Sequence, residues 1–366
     1  MRKKIVKALI LCFITIAVTY TLINPYRVAF YTQGAIKMCV TSLVPTLFIF
    51  MVFSRILSHL CTTILPSNKL ILFFSRLLRI PPTLVPICLT GLICGAPSGA
   101  FAICRLYDEG LCTKEQAKRA CILSNNCSAA FILGFVSSVL GSLHTSLFML
   151  ISNISATFIV YMVFFRGEKE KPLSQSAPLQ SKSSVSTILT ESISSSVTAT
   201  VTLCGYVIFF YTFTQVLCDE LSPFLNYIGI SEGLAGFIST ATSSFFEVSS
   251  GVLRAGMLDS VEKAVLCAGA VSFTGLSMLF QVSGLLSQSG IPAREYFLSK
   301  CLCAIVCPII VILLMLISPY TVSVSAYVRP ETGGVCAGDI ISLVLMTCIA
   351  FTGAYILFRV DKKHKK

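Results

Sequence analysis

Apolar runs of about 20 residues recur along this chain, and they restrict its fold more than any other feature. A run of that length crosses a hydrocarbon core of roughly 30 Å as a helix. Lipid offers no hydrogen bonds, so a spanning backbone must be helical or part of a closed barrel. The runs lack the period-two alternation of barrel strands, and they therefore predict an all-α polytopic membrane protein.

Composition agrees with this class and excludes several functions. Charged residues make up 12% of the chain, against roughly 25% in soluble domains. The net charge of +12 is spread along the ends of the apolar runs, which indicates orientation in a lipid bilayer and not a nucleic-acid partner. The 17 cysteines show no zinc spacing and HExxH does not occur; GxSxG occurs once, at Gly229–Gly233, and has no strand pattern before it. We therefore expect no metal site, no bound cofactor and no enzyme activity.

The predicted organisation has about eight crossings and two broken apolar segments. The crossings, in chain order, are 5–23, 38–60, 114–143, 144–165, 187–218, 261–288, 296–318 and 338–358. The segments 81–104 and 229–256 contain too many Gly, Pro, Ser and Thr residues for straight spanning helices, and each is predicted to be a re-entrant hairpin. Residues 61–80 are predicted to lie in the membrane interface, and 166–186 form a polar linker.

Basic residues orient this map. With both termini in the cytosol, 23 of the 28 Lys and Arg residues fall on the cytosolic side and five on the outer side. This bias follows the positive-inside rule and puts the 166–186 linker in the cytosol, with 24–36 and 319–337 as outer loops. Arg119 and Lys300 are counted with the cytosolic group, and Arg254 and Lys263 with the outer group.

The two halves of the chain share an order of parts, which predicts an internal repeat. The unit 61–165 and the unit 187–318 each contain a hairpin, an interrupted crossing and a second crossing, preceded by N-terminal helices in 1–60 and followed by the C-terminal crossing 338–358. Gly99 corresponds to Gly251, and Asn125 to Ser272. The first copy opens to the cytosol and the second outward, as in the inverted repeats of many secondary transporters. Identity between the copies is slight, so chance similarity is the alternative.

The breaks are the candidate substrate site, because irregular backbone at membrane depth must be buried in protein or line a wet cavity. Half-helix N-termini there would offer free N–H groups to an anion. The candidate residues are Gly95, Pro97, Ser98, Gly99, Asn125, Asn126, Ser128, Ser243, Ser244, Glu247, Ser249, Ser272, Thr274, Ser277 and Gln281. For each serine, helix packing is the alternative role.

Glu247 is the sharpest of these signals, because a carboxylate among apolar and hydroxyl side chains is costly unless it is paired, protonated or hydrated. We expect it to be a gate or the coupling residue, with a proton or a sodium ion as the coupling ion. The alternative is that Glu247 pairs with Arg254, two helical turns further on.

Four segments together resemble the sporulation integral membrane protein family of the YlbJ or SpoVV type. They are Gly95–Ala100, Ser124–Ser128, Phe246–Gly251 and Ser272–Ser277, the last followed by Gln281. The family carries nucleoside-recognition Gate segments and is similar in its core to concentrative nucleoside transporters. The first hairpin of this chain lacks the acidic and Gln residues that those transporters use on the nucleoside.

The resemblance implies a secondary transporter that moves dipicolinic acid, a small anionic substrate, across the outer forespore membrane during sporulation. Two alternatives remain: a nucleoside or nucleobase carrier, and a non-transporting membrane scaffold for spore envelope assembly. The sequence leaves open whether the chain forms a homo-oligomer.

Overall fold

The computed structural model describes residues 2–64, 69–165, 185–258 and 260–317, and every regular element within these ranges is helical. The helices are α1 (Arg2–Ile23), α2 (Pro25–Met38), α3 (Val44–Ile64), α4 (Lys69–Leu78), α5 (Val85–Cys94), α6 (Ser98–Asp108), α7 (Lys114–Ser124), α8 (Ser137–Leu140), α9 (Leu143–Phe164), α10 (Val185–Tyr227), α11 (Glu232–Phe246), α12 (Val248–Ala255), α13 (Ser260–Phe273), α14 (Gly275–Gln288) and α15 (Arg294–Ile317). Cys39–Leu43 and Phe131–Val136 are π-helical.

The prediction of an all-helical, multi-pass membrane protein is confirmed. Four stretches of the described chain are long and apolar enough to cross a membrane: Leu143–Phe164, Ser186–Tyr227, Glu262–Gln288 and Arg294–Ile317. A fifth is added if Pro25–Leu43 and Leu47–Phe53, which meet at 49°, form one bent span. The total of eight crossings stays a prediction. The crossing at 338–358, the loop at 319–337 and the linker residues 166–184 lie outside the described residues.

Two predicted boundaries were wrong. Residues 25–38 form helix α2, where the sequence predicted an outer loop over 24–36; Pro25 suits the first helical position because its missing N–H would be unpaired there anyway. Helix α10 has 43 residues, about 65 Å at 1.5 Å per residue, and continues well beyond the predicted end at 218. No glycine follows Gly205 in the helix, and the helix ends shortly before Gly229, whose φ of 85° suits a residue without a Cβ.

Four helix breaks position the candidate residues. The chain breaks between α5 and α6 at Gly95–Pro97, and between α11 and α12 at Glu247. It breaks again after α7, where helix resumes at Ala129, and between α13 and α14 at Thr274. The partners of each short pair, α5 with α6 and α11 with α12, pack against each other.

The breaks lie in the protein interior. Helices α9, α13 and α15 pack together, and α7 packs against α5, α9 and α15. Apolar clusters surround this centre, yet the centre itself holds fully buried polar side chains, including Asn126, Thr157 and Ser272. Buried polar groups must find hydrogen-bond partners, so their pairing decides what the centre can do.

Candidate functional site

The tip of the first helix pair lies against the break that follows α7. Gly95 has a φ of 76°, and a Cβ on it would lie 2.6 Å from Ser128 N, so only glycine fits. The neighbouring Ala96 N donates a hydrogen bond of 2.8 Å to Asn126 O. After Pro97, Ser98 Oγ donates to Gly95 O over 2.6 Å, which closes the tip on itself. The backbone of the tip and the backbone of the break are therefore one bonded unit.

Asn125 belongs to the framework of this unit. Its Oδ1 accepts a hydrogen bond of 2.8 Å from Ala100 N in the first turn of α6, and its Nδ2 donates to Cys121 O over 2.9 Å. Gly99 makes the same contact possible, because a Cβ on it would lie 2.6 Å from Ser124 Cβ. Ser128 Oγ accepts from Phe131 N over 3.1 Å and so caps the helix that resumes directly after Ser128.

Asn126 presents its side chain to two other helices. Its Oδ1 accepts hydrogen bonds from Thr157 Oγ1 on α9 over 2.8 Å and from Lys300 Nζ on α15 over 2.6 Å. Its Nδ2 donates to Leu123 O over 2.8 Å, which fixes the orientation of the amide. The Lys300 side chain is 1% exposed. A buried ammonium group therefore reaches the first break.

Glu247 forms the tip of the second helix pair and is fully buried. Its carboxylate accepts hydrogen bonds from Ser249 N over 2.9 Å and from Ser250 N over 2.6 Å, so it caps its own helix α12. The alternative pairing with Arg254 was wrong, because Arg254 instead donates to Gln215 Oε1 and to Ser239 Oγ. Within the described ranges Glu247 makes no ion pair.

The other predicted polar residues of the second pair act locally. Ser243 Oγ donates to Ser250 Oγ over 3.0 Å, and Ser244 Oγ donates to Thr240 O over 2.9 Å. Ser249 contributes its backbone N–H to the Glu247 carboxylate. These bonds favour the framework role for the serines over a direct role in binding.

The second break lies against the second tip. Thr274 has a φ of 67° and Gly275 a φ of 74°, and a Cβ on Gly275 would lie 3.0 Å from Val248 N and 3.2 Å from Glu247 Cα. Each half of the chain thus joins a hairpin tip to the break in the following helix. Ser272 Oγ donates to Asn153 Oδ1 on α9 over 3.1 Å.

Buried polar atoms next to the second break lack partners. Gln281 Oε1 and Asn153 Nδ2 have no hydrogen-bond partner in the described structure, although each residue is at least nine-tenths buried. Ser277 lies one turn before Gln281 on α14 and is also buried. An unpaired buried amide is costly, and a bound ligand or water would supply the missing bond.

Helix α15 packs against α7 and α13, the two helices that end at the breaks. The Tyr296 hydroxyl donates to Asn125 O over 3.4 Å. One turn later on α15, Lys300 bonds to Asn126.

Three residues of this centre were not predicted from the sequence: Lys300, Tyr296 and Asn153. Lys300 was counted with the cytosolic basic groups, and so was Arg119; both are fully buried, as Lys263 nearly is. The sequence does contain a signal for two of them, since Tyr296 and Lys300 are four residues apart and share one helix face. A lysine inside an apolar run is a functional-site candidate in its own right.

Metal binding has no obvious ligand set, since no group of three or more His, Cys, Asp or Glu side chains in the described ranges could hold a metal ion. The polar groups that converge on the breaks are amides, hydroxyls, one ammonium and one carboxylate.

Comparison with known proteins identifies a distant relative among sporulation membrane proteins. The sporulation integral membrane protein YlbJ of Bacillus subtilis (strain 168) is 24% identical over 277 residues, which cover 66% of this chain and 66% of the relative. The match thus spans just under two thirds of the relative's length. No family model matches the chain, and no solved structure matches it. The similarity to an integral membrane protein agrees with the multi-pass membrane fold.

Proposed function

We propose that this protein is a secondary transporter of a small organic anion during endospore formation, with dipicolinic acid as its substrate and the outer forespore membrane as its location. The name of the Bacillus subtilis relative supports a role in sporulation. The family resemblance of the four break segments supports the substrate and the membrane.

The observation that carries the proposal is the pairing of tip and break in each half of the chain. Ala96 N bonds to Asn126 O in the first half, and Gly275 packs on Glu247 and Val248 in the second. Non-helical backbone at membrane depth is found where it is buried in protein or lines a cavity. Two such units favour an inverted repeat with two re-entrant hairpins and eight crossings, built around one central site.

The composition of the centre favours an anion. Lys300 brings a positive charge to the first break, and its hydrogen-bond partner there is a neutral amide. A membrane scaffold would gain nothing from a buried ammonium and a buried carboxylate that make no ion pair in the described structure. A transporter needs such groups to bind substrate and a coupling ion.

Coupling is assigned to Glu247. Its position at a tip beside a helix break would let it bind a proton or a sodium ion when the substrate is present. A dianion next to an ionised carboxylate is repelled, so the two sites would bias each other.

A nucleoside carrier is the second candidate, and one observation favours it. Gln281 Oε1 is a buried acceptor without a partner in the described chain, and a nucleobase N–H or a ribose hydroxyl would satisfy it.

Uptake by proteoliposomes separates these functions. The purified protein is reconstituted, and uptake of labelled dipicolinate and labelled uridine is compared with uptake by empty liposomes under pH and sodium gradients. Saturable dipicolinate uptake that uridine does not inhibit is expected. Uptake of uridine alone would establish the nucleoside carrier, and uptake of neither would favour the scaffold.

A further inference from the structure

We propose that the buried ammonium of Lys300, held in place by Asn126, is the seat of a carboxylate group of the substrate. The inference rests on the proposed function and names the group that recognises the anion. It assigns a binding role to a residue on α15 that the charge pattern of the sequence placed at the membrane surface.

The N-termini of α6 and α12, at the two tips, are poor anion sites, because the chain already occupies N–H groups in their first turns. Ala100 N in the first turn of α6 donates to Asn125 Oδ1. Ser249 N and Ser250 N in the first turn of α12 donate to the Glu247 carboxylate. An anion approaching either terminus would have to displace a buried side chain, and at α12 it would also meet a negative charge.

Lys300, unlike these helix N-termini, offers a positive charge that no carboxylate of the described residues neutralises. Its ammonium is buried, and no carboxylate of the described residues lies within 4.0 Å of it. Its hydrogen-bond partner is the neutral Oδ1 of Asn126, at 2.6 Å, and its Nζ lies 5.7 Å from the centre of the Tyr296 ring, which is also uncharged. A charge taken out of water without a counter-charge is expensive, and an anionic ligand would remove much of that cost.

The hydrogen bonds around Asn126 leave the ammonium ready for a ligand. Asn126 Oδ1 also accepts from Thr157 Oγ1, while Asn126 Nδ2 is held by Leu123 O, so the amide cannot turn away. Lysine has three N–H donors, and Asn126 takes one of them. The remaining donors can bind a carboxylate.

The location suits access from the first hairpin. Asn126 O is bonded to Ala96 N at the tip, and Gly95 next to it carries no side chain. Movement of the tip would therefore change the surroundings of Lys300 directly.

The test measures ligand binding to the full chain in nanodiscs. The probes are pyridine-2,6-dicarboxylate, pyridine-2-carboxylate, benzoate and, as a neutral ligand, uridine. The variants are Lys300→Gln, which removes the charge, and Lys300→Arg, which keeps it. Lys263→Gln is the matched control, because Lys263 is also a buried lysine but lies eleven residues, about 16 Å of helix, before the break at Thr274. Melting without ligand checks that each variant is folded.

We expect Lys300→Gln to weaken carboxylate binding by about 30-fold or more, as expected for loss of one partner of a buried charge pair. Lys300→Arg should retain much of the affinity, and Lys263→Gln should match the wild type. Carboxylate binding by folded Lys300→Gln within about threefold of wild type would overturn the inference while leaving the proposed function standing. If the wild type binds benzoate or pyridine-2-carboxylate but not the dicarboxylate, the proposed substrate is wrong. The role of Lys300 is then tested by the effect of Lys300→Gln on the affinity for the monocarboxylate that binds. If the wild type binds none of the three carboxylates, with or without uridine binding, both the role of Lys300 and the proposed transport of an organic anion are overturned.

Discussion

Asn125 Oδ1 accepts a hydrogen bond of 2.8 Å from Ala100 N, and so a side chain in the break after α7 caps the helix that follows the first hairpin tip. Sequence reasoning assigned both asparagines to the ligand. The structure separates them: Asn125 holds the framework, while Asn126 faces Thr157 and Lys300.

Replacement of Asn125 by alanine should therefore lower stability, and not only binding. Loss of a cap bond typically costs about 1 kcal/mol, and the buried N–H left without a partner adds to it. The matched control is Asn24→Ala, because Asn24 stands at the N-cap of α2 but makes no side-chain cap bond. Thermal melting in detergent should show a lower Tm for Asn125→Ala and little change for Asn24→Ala. Equal melting of the two variants would contradict the capping role.

Gly99 is predicted to tolerate no side chain. A Cβ there would lie 2.6 Å from Ser124 Cβ, so Gly99→Ala must separate the first hairpin from α7. Overpacking of this kind costs about 1–3 kcal/mol. Gly236→Ala is the control, because Gly236 is also helical and a methyl group added there would meet no atom within 4 Å. A lower Tm for Gly99→Ala alone is expected, and an unchanged Tm would mean that the two segments are not in contact.

Glu247→Gln tests the coupling role. Glutamine keeps one oxygen for the cap of α12 but turns an NH₂ group towards the second backbone N–H, at a cost of about 1 kcal/mol. The variant should fold, retain binding and lose the dependence of transport on pH or sodium. Uptake by proteoliposomes at several pH values and sodium concentrations measures this, with Glu262→Gln on the exposed start of α13 as control. Unchanged dependence in Glu247→Gln would remove the coupling role.

The sequence predicted the class of the fold and the places where helices break, for a physical reason. Long apolar runs leave few alternatives in lipid, and residues such as Gly95 and Gly275, at positive φ, end or begin helices wherever they occur. Boundaries were poorly predicted where no such residue stands, as at the start of α2 and at the predicted end of α10 near residue 218.

The site was predicted only in part, because a sequence does not specify side-chain partners. The sequence suggested an unpaired carboxylate at Glu247, but this carboxylate caps its own helix. The sequence suggested a surface charge at Lys300, but this side chain lies in the interior. Hydrogen bonds between distant segments, such as Lys300 with Asn126, depend on how α7 and α15 pack.

Topology is testable by cysteine labelling in sealed cells that carry a background without reactive native cysteines. Tyr26→Cys, at a side chain that is 91% exposed near the start of α2, should react with an impermeant reagent from outside. A cysteine at Ser174 in the linker should react only after the cells are opened. External labelling of the linker would contradict the predicted orientation, and with it the topology map on which the inverted repeat rests.

Counterflow is the most direct test of the central claim that this protein carries a small organic anion. Proteoliposomes are loaded with unlabelled dipicolinate, diluted into buffer with a trace of labelled dipicolinate, and sampled over time. A carrier predicts a transient accumulation of label above its equilibrium level in loaded proteoliposomes, and none in loaded liposomes without protein. A time course for the proteoliposomes that rises no higher than that of the protein-free liposomes would contradict the account.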